Sequence, residues 1–213
     1  MDIEELIRTL DNLRTQYGIL SSSPVKVEDL ERLRSLKTEV LAAERRLAAA
    51  RNEPYATPWG WPVDWAFSIF QPIVVSNGRR TLLMYSAQDK ESASKAKKDQ
   101  AQYTAILTFK GCVSCKFGDP NDEAIEGHPL YGRGIDAGGA YIIMNSPWLE
   151  ELKKINSVHP QFDNQSWSEK RHYLLFFKDN AFECIAKDAT SHIKDGPLPD
   201  VINAEVGVLF QRG

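Results

Sequence analysis

The chain has 213 residues, of which 42% are hydrophobic and 26% charged, an ordinary globular composition that argues against disorder and provides for a sizeable core. Net charge is −3, so no general basic field attracts a polyanion, and a nucleic-acid partner is not expected. Acids interrupt the first ten residues and no long apolar run occurs elsewhere, so neither a secretory signal nor a membrane partner is expected. Three cysteines are few and odd in number, which fits a reducing, cytoplasmic setting better than a disulfide framework.

Ile3, Leu6, Leu10, Leu13 and Tyr17 alternate spacings of three and four, a heptad seam on a helix that Gly18 can end. Ser23 as cap and Pro24 at the first position then open a second helix. Its Leu33, Leu36, Val40, Ala43, Leu47 and Ala50 repeat the seam. Residues 1–53 therefore read as an antiparallel, coiled-coil-like helical hairpin. Each seam is too short to be stable alone, so the hairpin must pack on its own domain or on a second copy.

Residues 54–70 form a strap. Pro54, Pro58 and Pro62 stop helices, while Trp59, Trp61 and Trp65 supply large apolar areas that suit packing, with ligand stacking as the sharper alternative.

Residues 71–213 read as a β-rich α+β domain. Ile73–Val75, Asn77-Gly78 and Thr81–Tyr85 make a hairpin, because Asn-Gly suits a tight primed turn. Residues 88–100 lack large apolar side chains and read as loop or frayed helix. Tyr103 to Phe117 is strand-like. Asp119 and Pro120 begin a short helix ending at Gly127, and residues 141–144 are a strand. Ser146-Pro147 opens a second short helix, with Trp148, Leu149, Leu152 and Ile155 on one face. Tyr173 to Ala186 makes a hairpin turning at Asp179-Asn180, which sets Phe177 opposite Phe182 and Leu175 opposite Cys184. The expected fold is α+β, a mainly antiparallel sheet with two short helices behind the helical hairpin.

Several groups carry candidate chemistry. Cys112 and Cys115 form a Cys-x-x-Cys pair that, with Cys184 and a histidine, can supply zinc ligands, although no second pair exists. A continuous strand through 105–117 places Cys112 and Cys115 on opposite faces, which favours structural cysteines and no cofactor. Cys184 and His172 diverge in the hairpin, since Cys184 shares its face with aromatic residues and His172 shares the other with Glu183. That disfavours a thiol–imidazole dyad.

Asp122 and Glu123 precede His128, which Gly127 and Pro129 hold in a tight loop. This is the first place to seek acid–base chemistry, although acids in a first helical turn also suit the helix dipole. His159 follows the second short helix and can face His128 across a cleft. Gly132-Arg133-Gly134 lacks the strand-then-helix setting of a dinucleotide loop, so its glycines serve a turn.

Pro120–Glu123, Gly127–Leu130, Asn145–Trp148, Asn156, His159-Pro160, His172-Tyr173 and Phe182–Ala186 together resemble a small domain that recurs among uncharacterised bacterial proteins. The resemblance spans roughly residues 70–190. It implies a bacterial setting and an independently reused domain, and it carries no activity, cofactor or partner.

The leading expectation is a non-enzymatic binding module that recognises a protein partner, in an immunity-like or regulatory role, with the N-terminal helices assisting docking or self-association. The rival is a small metal-dependent or acid–base enzyme built on His128, Asp122, Glu123 and His159, with Glu183 a possible addition. An enzyme must gather these groups in one pocket, whereas a binding module scatters them and exposes an apolar patch.

Overall fold

The fold is α+β in the computed structural model, which describes residues 2–22, 26–65, 72–78, 80–87 and 103–209. Helices α1 (Ile3–Ser21) and α2 (Leu30–Ala50) form the N-terminal pair. Helix α1 runs past Gly18 to Ser21. A short 3-10 turn, Val27–Asp29, leads into α2, while Ser23 and Pro24, the expected start signal, lie outside the described residues. Leu6 and Leu10 on α1 meet Leu36 and Ala43 on α2 as buried seam residues, as the heptad spacing requires.

Among the described residues, nine strands build two antiparallel sheets. They are β1 (Tyr55–Pro58), β2 (Ile73–Ser76), β3 (Arg80–Ala87), β4 (Tyr103–Lys110), β5 (Ser114–Gly118), β6 (Ala140–Met144), β7 (Arg171–Phe176), β8 (Ala181–Ala186) and β9 (Asp188–Asp195). One sheet has the order β1-β6-β7-β8-β5, the other β2-β3-β4-β9. The chain passes between them twice at one corner, where Gly111 sits beside Lys187 and the Lys187 N–H donates to the Lys110 carbonyl at 3.0 Å.

The sheets face one another across the main core. Leu83, Tyr85, Leu107 and Phe109 from the four-stranded sheet meet Tyr173, Leu175, Phe182 and Cys184 from the five-stranded one. Period-two alternation sends the other residues of the same strands outward. Leu82, Met84 and Ile106 meet helix α5 (Leu198–Leu209) through Leu198 and Val201, and the Lys194–Glu205 ion pair pins that helix to β9. Leu174 and Phe176 face outward from β7 into a second cluster with Ile125, Leu130, Ile135 and Tyr141.

The tryptophans pack, as the bland reading of the strap requires. Trp59 meets Tyr173 edge-on at 5.0 Å, and Trp61 meets Phe177 at 5.1 Å while its indole N–H donates to the Gly138 carbonyl at 2.7 Å. The strap also supplies β1, a strand that its prolines conceal.

Three expectations need correction. The β7–β8 hairpin turns at Lys178-Asp179, so Leu175 opposes Phe182 and Tyr173 opposes Cys184, two residues from the expected register. An even slip preserves which face each side chain occupies. The strand read through Tyr103–Phe117 is two strands in different sheets, because Gly111, at φ +60°, breaks it. The helix after Pro120 is a 3-10 helix, Asp122–Gly127, whose cap is Asn121 rather than Asp119.

The hairpin packs on its own domain. Glu44 of α2 accepts from the Arg14 guanidinium at 2.9 Å and from the Gly134 N–H at 3.2 Å, and Lys37 pairs with Asp136 at 2.7 Å. Gly134 has φ +94°, and a Cβ there would lie 2.4 Å from Arg45 Cγ, so this turn admits glycine alone. No described helix is long and apolar enough to cross a membrane.

Candidate functional site

The outer face of the five-stranded sheet carries a polar cluster where helix α3 (Pro147–Asn156) begins. Asn145, at φ +51°, turns the chain out of β6, and its side-chain amide donates to the Glu53 carbonyl at 3.2 Å. Ser146 then caps α3, with its Oγ accepting from the Leu149 N–H at 3.1 Å and Pro147 following at the first helical position.

That capped serine lies 2.8 Å from Nδ1 of His172. An ionised Glu183 can only accept, so in the neutral imidazole Nδ1 is left to accept from the Ser146 hydroxyl. The ring proton then sits on Nε2, which donates to Glu183 Oε2 at 2.8 Å. A continuous Ser146–His172–Glu183 chain results. Ser146 is 4% exposed and His172 equally covered.

Charge and aromatic surfaces frame the chain. The Lys116 ammonium stands 3.8 Å from Glu183 Oε1 and 3.9 Å from the centre of the Trp148 ring, which meets His172 edge-on at 5.1 Å. Burial pushes the Glu183 carboxyl up, but the His172 hydrogen bond and the neighbouring positive groups outweigh it and hold the carboxyl below its ordinary range. His128 stands close enough to feel Glu183, His172 and Lys116. Burial lowers its pKa, the Glu183 charge opposes that shift, and its Nδ1 accepts from the Leu130 N–H at 3.2 Å. An open groove of about 490 Å³ runs past the site, lined by Thr57, Ile142, Met144, Ser146, Leu149 and His172.

The candidate residues from the sequence distribute unevenly. His128 stands beside the His172–Glu183 pair. Asp122 and Glu123 sit in the first turn of the 3-10 helix, and neither carboxylate is hydrogen-bonded to His128. His159 lies beyond the C-terminus of α3, exposed, its Nδ1 accepting from the Gln161 N–H at 3.1 Å. His192 is exposed on β9. Two of the four histidines thus converge.

Cys112, Cys115 and Cys184 are free thiols on the opposite face of the sheet, in and against the inter-sheet core. Among the described residues, no group of three or more His, Cys, Asp or Glu is arranged to hold a metal ion. The expected divergence of Cys184 from His172 is present: Cys184 opposes Tyr173 and faces inward, while His172 opposes Ile185 and faces out.

Ser146 and Lys116 were missed as functional groups by the sequence reading. The cap motif marked Ser146, and strand alternation put His172 and Glu183 on one face, but nothing local joins those signals. No family model matches the chain, and neither a curated protein nor a solved structure does.

Proposed function

We propose that the chain is an enzyme that attacks an activated carbonyl, with Ser146 as nucleophile, His172 as general base and Glu183 as the carboxylate that orients and stabilises the ring. The observation that carries this reading is the pair of 2.8 Å hydrogen bonds joining Ser146, His172 and Glu183 beside an open groove. As Oγ attacks, its proton passes to Nδ1, and the imidazolium is held by Glu183. The first turn of α3, capped by Ser146, sets the positive end of a helix dipole beside this serine, which favours negative charge there.

A fluorophosphonate reagent that phosphonylates activated serines tests the reading. The expected product is one adduct on the tryptic peptide 134–153, whose single serine is Ser146. Labelling should fall by about 10³-fold or more in His172→Ala and by a comparable order in Glu183→Gln. An unlabelled but folded wild-type protein, under conditions that label a serine esterase, overturns it and leaves Ser146 as a helix cap alone.

A second reading, a non-enzymatic module recognising a protein partner, is favoured by the free end of the helical pair. Ile19 is 67% exposed and Val27 85% exposed on either side of the α1–α2 connection. If that end pairs with a second copy, light scattering across concentration shows a larger species that Val27→Glu abolishes. A monomer at every concentration removes self-association.

A further inference from the structure

Cys115 of β5 and Cys184 of β8 are free thiols that stand directly opposite one another in an antiparallel ladder. Opposed residues project from the same face of a sheet, here the one turned to the inter-sheet core.

The backbone shows which kind of pair they form. The β7–β8 register, continued one step, sets 177 opposite 180, and the Phe177 N–H donates to the Asn180 carbonyl at 2.8 Å, so these two are a hydrogen-bonded pair. Steps of two along β8 then direct the backbone groups of 182, 184 and 186 at β7, and those of 183 and 185 at β5. The Val113 N–H bond to the Ile185 carbonyl, 2.9 Å, agrees with that assignment. Cys115 and Cys184 are therefore a non-hydrogen-bonded pair, the kind with side chains closest and Cα atoms about 4.5 Å apart. That separation falls inside the span of roughly 4.4–6.8 Å that a disulfide bridges.

Exposure gives the two sulfurs different parts. Cys184 is fully buried, whereas Cys115 is only partly covered and is the one a solute can reach. Cys112 precedes the first paired residue of β5, is 5% exposed, and donates its thiol to the Ser114 carbonyl at 3.4 Å.

We propose that Cys115 and Cys184 close a reversible cross-strand disulfide by exchange with a small-molecule disulfide such as oxidised glutathione, while Cys112 stays a thiol. The Cys115 thiolate attacks one sulfur of the small disulfide, whose S–S bond breaks. The departing glutathione thiolate takes up the proton that Cys115 lost. The Cys184 sulfur then attacks the Cys115 sulfur of this mixed disulfide. A second glutathione leaves with the Cys184 proton. Two cysteine thiols are oxidised, and one small disulfide is reduced to two thiols.

The test exposes the intact, folded chain to oxidised glutathione at about pH 8.5, because exchange runs through the thiolate and burial, with the nearby Cys112, pushes the Cys115 thiol up. Acid quenching, unfolding, alkylation and trypsin follow. Cys112 and Cys115 fall in one peptide, 111–116, and Cys184 in another, 179–187. The expected product is the two peptides joined, lighter by two hydrogens than their sum, with Cys112 carrying the alkyl group in fragment spectra. Dithiothreitol should return both peptides unlinked.

The joined species should persist in Cys112→Ser and be lost in Cys115→Ser. In Cys184→Ala, shown to be folded by circular dichroism, the reaction should stop with glutathione on Cys115. A disulfide that contains Cys112 overturns the proposal. So does a folded wild-type chain whose three thiols are all alkylated after glutathione treatment that oxidises a reference dithiol, or a Cys184→Ala chain that takes glutathione on Cys112 instead.

Discussion

Glu44→Ala is the sharpest test of how the helical pair is attached. The Glu44 side chain is 8% exposed and holds two partners from different parts of the chain, Arg14 on α1 at 2.9 Å and the Gly134 N–H at 3.2 Å. Truncation leaves the buried Gly134 amide without its acceptor, at about 1–3 kcal/mol. The Arg14 guanidinium is 48% exposed and can return to water, so its half of the loss is small, about 0–1 kcal/mol. A total of about 1–4 kcal/mol follows, and for a domain of this size it corresponds to a fall in Tm of roughly 2–16 °C. Glu44→Gln keeps an acceptor for the amide and should retain about half of that loss. Thermal unfolding followed by circular dichroism gives the magnitude, and amide exchange gives the location. Protection should drop in α1, α2 and the 132–136 turn before it drops in β7 and β8. A Tm within 1 °C of wild type, or uniform loss of protection across both sheets, refutes the docking described here.

Two further outcomes follow from the polar site. Ser146→Ala removes the α3 cap and the hydroxyl partner of His172 Nδ1, and should cost about 2–3 kcal/mol in urea unfolding, whereas Ser146→Thr should cost less than about 1 kcal/mol. Equal losses in the two variants would mean that the hydroxyl bonds contribute nothing. Acid should destabilise the fold in two stages. His128 has a lowered folded pKa, so the unfolded chain binds its proton first, and stability present above about pH 6.5 is lost as pH falls below that value. Glu183 is also lowered in the fold, so its contribution is present above about pH 4.3 and is lost as pH falls through its folded value. Tm measured from pH 8 to 3 should show both stages, the upper absent in His128→Gln and the lower absent in Glu183→Gln. A Tm that is flat between pH 6.5 and 5 in the wild type contradicts the first.

The elements that local pattern specifies were legible in the sequence. The three-four spacing of Leu6, Leu10, Leu36 and Ala43 marks the buried seam of α1 and α2, and Asn77-Gly78 marks the β2–β3 turn. The β7–β8 faces were legible although the register was not. Lys178-Asp179 and Asp179-Asn180 both suit a tight turn, and the two choices differ by an even slip that parity cannot detect. Strand β9 went unread because its residues, DATSHIKD, are nearly all exposed at a sheet edge and show no apolar alternation. Strand β1 hid among prolines, and the position of Cys112 depended on a positive φ at Gly111 that no periodicity encodes. In the site, Ser146 was legible as a cap and His172 with Glu183 as neighbours on a face. Their meeting required the β6–α3 junction to land over β7, which is a property of topology.

The same alternation separates two chemistries by the thickness of one sheet. His172 precedes Tyr173 on β7, Glu183 precedes Cys184 on β8, and Lys116 follows Cys115 on β5. In each strand the polar residue faces α3 and its neighbour faces the inter-sheet core. The imidazole–carboxylate chain can therefore line a groove while the thiols sit among aromatic rings, with no loop or domain boundary between them. Among the described residues, strand β5 is the edge of its sheet and pairs with β8 alone. It carries both Cys115 and Lys116. Lys116 stands over Trp148 and beside Glu183 on one face of this strand, while Cys115 packs against the inter-sheet core on the other. One short edge strand thus contributes its side chains to the inter-sheet core on one side and to the polar site on the other.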